Sequence, residues 1–187
     1  AEALIRWQHP QRGLLPPGAF LPHLSGTDVE WLFGEWVLAT ALQQMQTWAR
    51  AGMVMKVSVN ISASHLLHAG FHEHLAHVLS QHPGAAAGDL ELEVLETAAI
   101  EDIQLAQNVM RRCMELGVRF SLDDFGTGYS SLTYLRKLPI HAIKIDQSFV
   151  RDMLLDPEGM SIVQSVIQLA SAFHRQVVAE GVETLAH

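Results

Sequence analysis

The sequence predicts an α/β fold in which parallel strands close into a barrel, with helices outside and a polar interior. Apolar runs of strand length alternate with longer amphipathic runs, which is the pattern of βαβ units. Each strand candidate has one apolar face and one that carries polar groups, whereas strands of an open doubly wound sheet would be apolar on both. The polar groups fall near the C-terminal ends of the strands, where barrels of this kind build their sites.

The elements follow in chain order. EALIRW (2–7) reads as a strand with Glu2, Leu4 and Arg6 on one face. Residues 28–50, DVEWLFGEWVLATALQQMQTWAR, carry apolar positions at helical spacing, and Trp31, Trp36 and Trp48 read as packing residues. In KVSVNI (56–61), Val57, Val59 and Ile61 oppose Lys56, Ser58 and Asn60; in LELEVL (90–95), Leu90, Leu92 and Val94 oppose Glu91 and Glu93. A helix is expected over 101–117, with Cys113 as a small buried hydrophobe. VRFSLD (118–123) sets Val118, Phe120 and Leu122 against Arg119, Ser121 and Asp123, and AIKID (142–146) sets Ile143 and Ile145 against Ala142, Lys144 and Asp146. A helix over 159–174 leads to QVVAEG (176–181), where Val178 and Glu180 share a face. The histidine-rich stretch HLLHAGFHEHLAH (65–77) lacks the second histidine of a HExxH zinc motif, because Ala76 stands there; it reads as a solvated helix face without a clear carboxylate partner for His74 or His77.

Bulk composition narrows the function. A chain of 187 residues suits one domain, and 49% hydrophobic residues support a packed core rather than disorder. A formal net charge of −8 argues against gripping a DNA or RNA duplex, which needs clustered Lys and Arg. No apolar run approaches the roughly 20 residues that span a bilayer, so no membrane contact by this domain is expected. The sequence opens on AEALIRW with no signal-peptide pattern, and the lone cysteine fits a reducing, cytoplasmic compartment.

The barrel reading gathers Glu2, Asn60, Glu93, Asp123, Lys144 and Glu180 at one rim. So many carboxylates close together would raise one another's pKa and resist ionising. Divalent cations resolve that conflict, and an oxygen donor set without clustered Cys or His suits Mg²⁺ or Mn²⁺. Two such ions about 3.5–4 Å apart are a common device for hydrolysing phosphate esters. The neighbouring Asp123 and Asp124 fit a pair of ions if the chain turns at the strand end, and Gly126 and Gly128 allow tight turns there. Burial or nearby metal would depress the pKa of Lys144.

In these stretches the chain resembles the EAL-domain cyclic di-GMP phosphodiesterases. The resemblance rests on EALIRW, PPGAFLP (16–22), VSVNIS (57–62), LELEVLET (90–97), DDFGTGYSSL (123–132), IKIDQSFV (143–150) and AEGVET (179–184), in the family's order across almost the whole chain. It implies a TIM-like (β/α)8 barrel of the EAL type, within a single EAL domain over residues 1–187. It implies metal ligation by Glu2, Asn60, Glu93, Asp123, Asp124 and Glu180, with Asp123 bridging two Mg²⁺ or Mn²⁺ ions. By the same resemblance Lys144 lies beside the attacking water, Glu180 doubles as a general base, and Arg6 contacts a substrate phosphate. Glu96 would anchor the DFGTGYSSL loop and Glu183 would support the site from behind. The implied reaction converts cyclic di-GMP to linear pGpG, and the 123–132 loop region would couple the site to a homodimer contact. Fused sensory or GGDEF domains outside this chain are expected, and the full-length protein is allowed a membrane anchor.

The family pattern also has a Gln-Pro strand before EAL and a Gln-Gly-Tyr strand after EGVET. Neither is present, so the expectation is an EAL domain truncated at both ends, lacking its first and last strands. Two other readings compete with the phosphodiesterase. One is a catalytically inactive EAL-type receptor or protein-interaction module, which would bind cyclic di-GMP without cleaving it. The other is a barrel glycosidase, which uses two carboxyls without metal and leaves the asparagine, the lysine and the surplus acids unexplained. Lys144→Ala and Glu93→Gln are expected to abolish turnover with the fold largely intact.

Overall fold

A computed structural model describes all residues except 96–101, 127–131 and 186, and for residues 132–134 it describes the backbone alone. Glu96, Gly128 and most of the DFGTGYSSL loop therefore lie outside the described residues. The chain divides into two compact units, Ala1–Leu92 with Arg112–Val118, and Glu93–Arg111 with Arg119–His187.

In the first unit the strand order is β1 (Glu2–Ala3), β4 (Val57–Ile61) and the leading half of β5 (Leu90–Leu95). β1 is only two residues long and pairs parallel with β4, Glu2 opposite Ser58 and Ala3 opposite Val59. The expected strand over 2–7 is thus cut short. The chain leaves the ladder at Leu4 and enters a hairpin of β2 (Trp7–His9) and β3 (Gly13–Leu15), with Trp7 opposite Leu15. Three residues connect the hairpin strands: His9 Nδ1 accepts the N–H groups of Gln11 and Arg12, and Gly13 takes the positive φ (71°) that closes such a loop.

Helix α1 (Leu21–Leu24) precedes the long α2 (Asp28–Arg50), whose limits are those expected from the sequence. Its first turn carries Asp28 and Glu30, which complement the helix dipole, and Leu38, Ala41, Leu42 and Met45 bury one stripe. Trp36 does not pack as expected; it is 55% exposed. Helices α3 (Ala63–Leu66) and α4 (Phe71–Gln81) complete the unit. The histidine-rich stretch is not a uniformly solvated face. Trp31 stacks on His68 (3.8 Å between ring centres) and meets His65 and His74 edge-on. His65 is 4% exposed, and His74 has the carboxylate partner the sequence did not reveal, Glu35 Oε1 at 3.0 Å. That partner comes from α2, so no local spacing rule could have found it.

In the second unit the order is β5, β6 (Arg119–Phe125), β7 (Ala142–Ile145) and β8 (Gln176–Ala179), with β6–β7 and β7–β8 parallel. Between the strands run α5 (Ile103–Glu115), α6 (Leu132–Lys137), α7 (Gln147–Asp152) and α8 (Pro157–Ala172). α5 buries Ala106, Met110 and Cys113 at helical spacing, as expected of the cysteine. Asp146 and Asp156 cap the N-termini of α7 and α8, each accepting a backbone N–H two residues on. Every residue of β7 is buried, Lys144 included. Among the described residues no helix is long and apolar enough to cross a membrane.

Candidate active site

The buried lysine organises the second unit. Lys144, 6% exposed, points Nζ at three carboxylates: Glu93 Oε2 and Glu180 Oε1, each at 2.7 Å, and Asp123 Oδ1 at 3.1 Å. Glu93 on β5 and Glu180, just after β8, accept hydrogen bonds from Nζ, and Asp123 on β6 stands close enough to add its charge. Glu93 is 2% exposed, a burial that a carboxylate tolerates only with such a partner. The contact with Asp123 is one of charge alone, because Asp123 Oδ1 is buried without a hydrogen bond.

The adjacent aspartates are brought to one side by a β-bulge. Leu122 pairs with Ile143 and Phe125 with Ile145, so Asp123 and Asp124 together stand opposite Lys144. Asp124 takes φ 52°, a left-handed conformation that aspartate tolerates better than most residues. The strand does not end at Asp123, as the sequence pattern suggested, but continues to Phe125 through this irregularity. One oxygen from each of Asp123, Asp124 and Glu180 falls within 4.8 Å of the others.

Asp146, which the sequence reading left without a role, joins this group through a hydrogen bond shared with Asp124. Its Oδ1 also accepts the N–H of Ser148 at 2.9 Å and the Ser148 hydroxyl. A D-x-S pattern directly after a strand was the available signal, since it marks a helix N-cap and hence a fixed carboxylate.

Electrostatics follow from five carboxyl groups around one ammonium. Burial disfavours a charged Lys144, but Glu180, Glu93 and Asp123 outweigh it and hold its pKa above the usual lysine value. The expected depression is reversed, because three carboxylates more than offset the desolvation. Asp124 is pushed up to about 6, first by burial and then by the charges of Asp123, Asp146 and Glu180. Asp146 is held below the usual carboxylate range, chiefly by the Ser148 hydroxyl and against its own burial.

These residues fit a hard divalent cation. The donors are all oxygen, Asp123 Oδ1 is buried without a hydrogen bond, and Asp124 resists ionising beside its acidic neighbours. In the first unit Asn60 Nδ2 donates to Glu2 Oε1 at 3.0 Å, so the side chains of β1 and β4 pair directly. Arg6 lies in the loop after β1, donates to Ile5 O at 2.7 Å, and lines an apolar cavity of about 460 Å³ with Trp7, Phe20, Phe33 and Trp36. Glu183 is exposed beyond β8, its N–H directed to His187 Nδ1 at 3.3 Å.

Fold and site together define an α/β protein with a lysine-centred acidic cluster at its strand ends. The EAL domain family's sequence model matches residues 1–186, and the chain belongs to that family. It is 44% identical over 184 residues to the cyclic di-GMP phosphodiesterase NbdA of Pseudomonas aeruginosa, covering 98% of this chain and 23% of that protein. Against the cyclic di-GMP phosphodiesterase PdeR of Escherichia coli it is 40% identical over 183 residues, 98% of this chain and 28% of PdeR. The solved structure of the PaMucR phosphodiesterase in a c-di-GMP complex superimposes with a TM-score of 0.92 at 40% identity, over 99% of this chain and 75% of that one. The fold is therefore the α/β fold of EAL structures, and the chain spans about a quarter of the length of the curated relatives it matches.

Proposed function

We propose that this chain is the phosphodiesterase portion of a larger protein and hydrolyses cyclic di-GMP to linear pGpG with the help of two Mg²⁺ or Mn²⁺ ions. The observation that carries the reading is the convergence of Glu93, Asp123 and Glu180 on Lys144, with Asp123, Asp124 and Glu180 close enough to share a cation. The names of the relatives and the c-di-GMP complex of PaMucR support the substrate.

Asp123, Asp124, Glu93 and Glu180 would hold the metal, with Glu2 and Asn60 as the remaining proposed ligands. Bound there, the cations would supply Lewis acidity toward the phosphodiester and lower the pKa of a coordinated water. Lys144 keeps its proton at Nζ, fixes the rotamers of Glu93 and Glu180, and presents positive charge where a phosphorane-like transition state gains negative charge. Glu180 Oε1 is the proposed proton acceptor for the nucleophile, and its bond to Nζ sets its orientation. The bulge holds two carboxylates toward the reacting centre from consecutive residues. Arg6 is proposed to meet a phosphate of the substrate.

The test is incubation of the purified protein with cyclic di-GMP and Mn²⁺, with product separation by chromatography. Formation of pGpG that vanishes with EDTA and in Glu93→Gln is expected. Binding without cleavage would favour the receptor reading, and chelator-resistant activity would refute the metal assignment.

A further inference from the structure

The junction of β7 and α7 touches both segments that carry the clustered carboxylates, and each contact comes from a different residue. Ile145 O accepts the N–H of Glu180 at 3.2 Å. Asp146 shares a hydrogen bond with Asp124. The side chain of Gln147 closes on Gly181, the residue after Glu180, so tightly that a Cβ there would lie 2.9 Å from Gln147 Cβ. The ring of Phe149 closes equally on Gly126, two residues after Asp124, where an added Cβ would lie 2.9 Å from Cε2. Both glycines have positive φ, 71° at Gly181 and 102° at Gly126. Two turns that follow two ligand-bearing strands are thus each pressed against the first turn of one short helix.

We infer that Gln147 and Phe149 are positioning residues that set the spacing of the Glu180 and Asp123–Asp124 carboxylates, by seating Gly181 and Gly126 against the first turn of α7. The inference rests on the metal-site reading of those carboxylates. Phe149 is apolar, and it is the Cβ of Gln147 that makes the contact. Their effect is geometric: the backbone after each carboxylate has no room to approach α7 and, with the contact removed, no wall to rest on. Side chains that orient metal ligands from behind commonly govern affinity as strongly as tenfold or more.

The experiment titrates Mn²⁺ alone into the purified protein and reads bound ion by electron paramagnetic resonance, with thermal unfolding measured in parallel. Phe149→Ala and Gln147→Gly should each weaken Mn²⁺ binding by about tenfold. Phe149→Leu, which keeps most of the bulk against Gly126, should recover most of that affinity. Val166→Ala, a buried position on α8 that is not among the nearest neighbours of either glycine, serves as the control for lost stability, and Mn²⁺ affinity should be unchanged in it. If wild-type protein binds Mn²⁺ and loses it in Glu93→Gln, but the α7 variants bind like wild type or fall only in step with Val166→Ala, the positioning role is wrong and the metal site stands. If wild-type protein binds no Mn²⁺, both are overturned.

Discussion

At the residue scale, Lys144 carries the most concentrated energetics in the molecule. Its removal takes from the buried Glu93, and from Asp123 and Glu180, the ammonium they share. Breaking a buried pair in this way costs about 3–5 kcal/mol. Lys144→Ala should therefore lose stability in urea without metal, contrary to the sequence-based expectation of an intact fold, and Mn²⁺ should restore part of the loss. Equal urea midpoints for wild type and variant in EDTA would refute this. Asp124 makes a second statement at this scale. Its folded pKa, about 6, lies above the ordinary value of 3.8, so the folded state holds the extra proton between those values. Its contribution to metal-free stability is present below pH 3.8 and is lost as pH rises through 6. The metal-free stability difference between Asp124→Asn and wild type should grow in favour of the variant across that window.

His65 has the opposite sign. Burial first, then the nearby His74 and His68, bring its pKa from 6.5 to about 4, with Glu30 opposing. The unfolded chain binds the proton more readily, so this contribution is complete above pH 6.5 and is lost as pH falls through 4. It amounts to something on the order of 3 kcal/mol at neutral pH. Stability curves at pH 7.5 and 4.5 should converge less steeply in His65→Phe than in wild type; parallel curves would remove His65 from the account.

At the element scale, contact with neighbours decides what the sequence could and could not reveal. The periodicity of α2 and the alternation of β5 marked both elements with the limits observed, Asp28–Arg50 and Leu90–Leu95, because long or strongly patterned segments carry their own signal. EALIRW misled because alternation records which faces are apolar and not where ladder pairing stops, two residues in. The hairpin that follows was not expected, although Gly13 after the short loop Pro10-Gln11-Arg12 was an available signal for it. The bulge at Asp123–Asp124 was not legible, since period-2 parity places consecutive residues on opposite faces and only the pairing of Phe125 with Ile145 reveals the extra residue. Glu93, Asp123 and Glu180 were legible as neighbours of Lys144, yet Asp146 and the three-way grip of Lys144 became visible only with β5 through β8 in place. Gly34 gives this scale its own prediction. In an isolated helix Gly→Ala stabilises by about 1 kcal/mol. Here the new Cβ would sit 2.2 Å from His65 Nδ1, so α2 would be forced off α3. Gly34→Ala should lower the unfolding midpoint, with a net cost of about 1–3 kcal/mol, and Gly34→Ala/His65→Ala should cost less than the sum of the single changes.

At the scale of the whole molecule, the 187 residues belong to the EAL family, and their clustered carboxylates are the feature that the proposed cations would relieve. Lys144 meets three carboxylates, and Asp124 is inclined to keep its proton at mildly acidic pH. Under the proposed function, the charge that pushes up the pKa of Asp124 would also draw in the ions that activate water. Calorimetric titration of Mn²⁺ into the metal-free protein at pH 7.5, repeated with Asp123→Asn, tests that claim most directly. Saturable binding is expected in the wild type, with loss of at least the tighter step in the variant. Saturable binding that Asp123→Asn leaves untouched would contradict it.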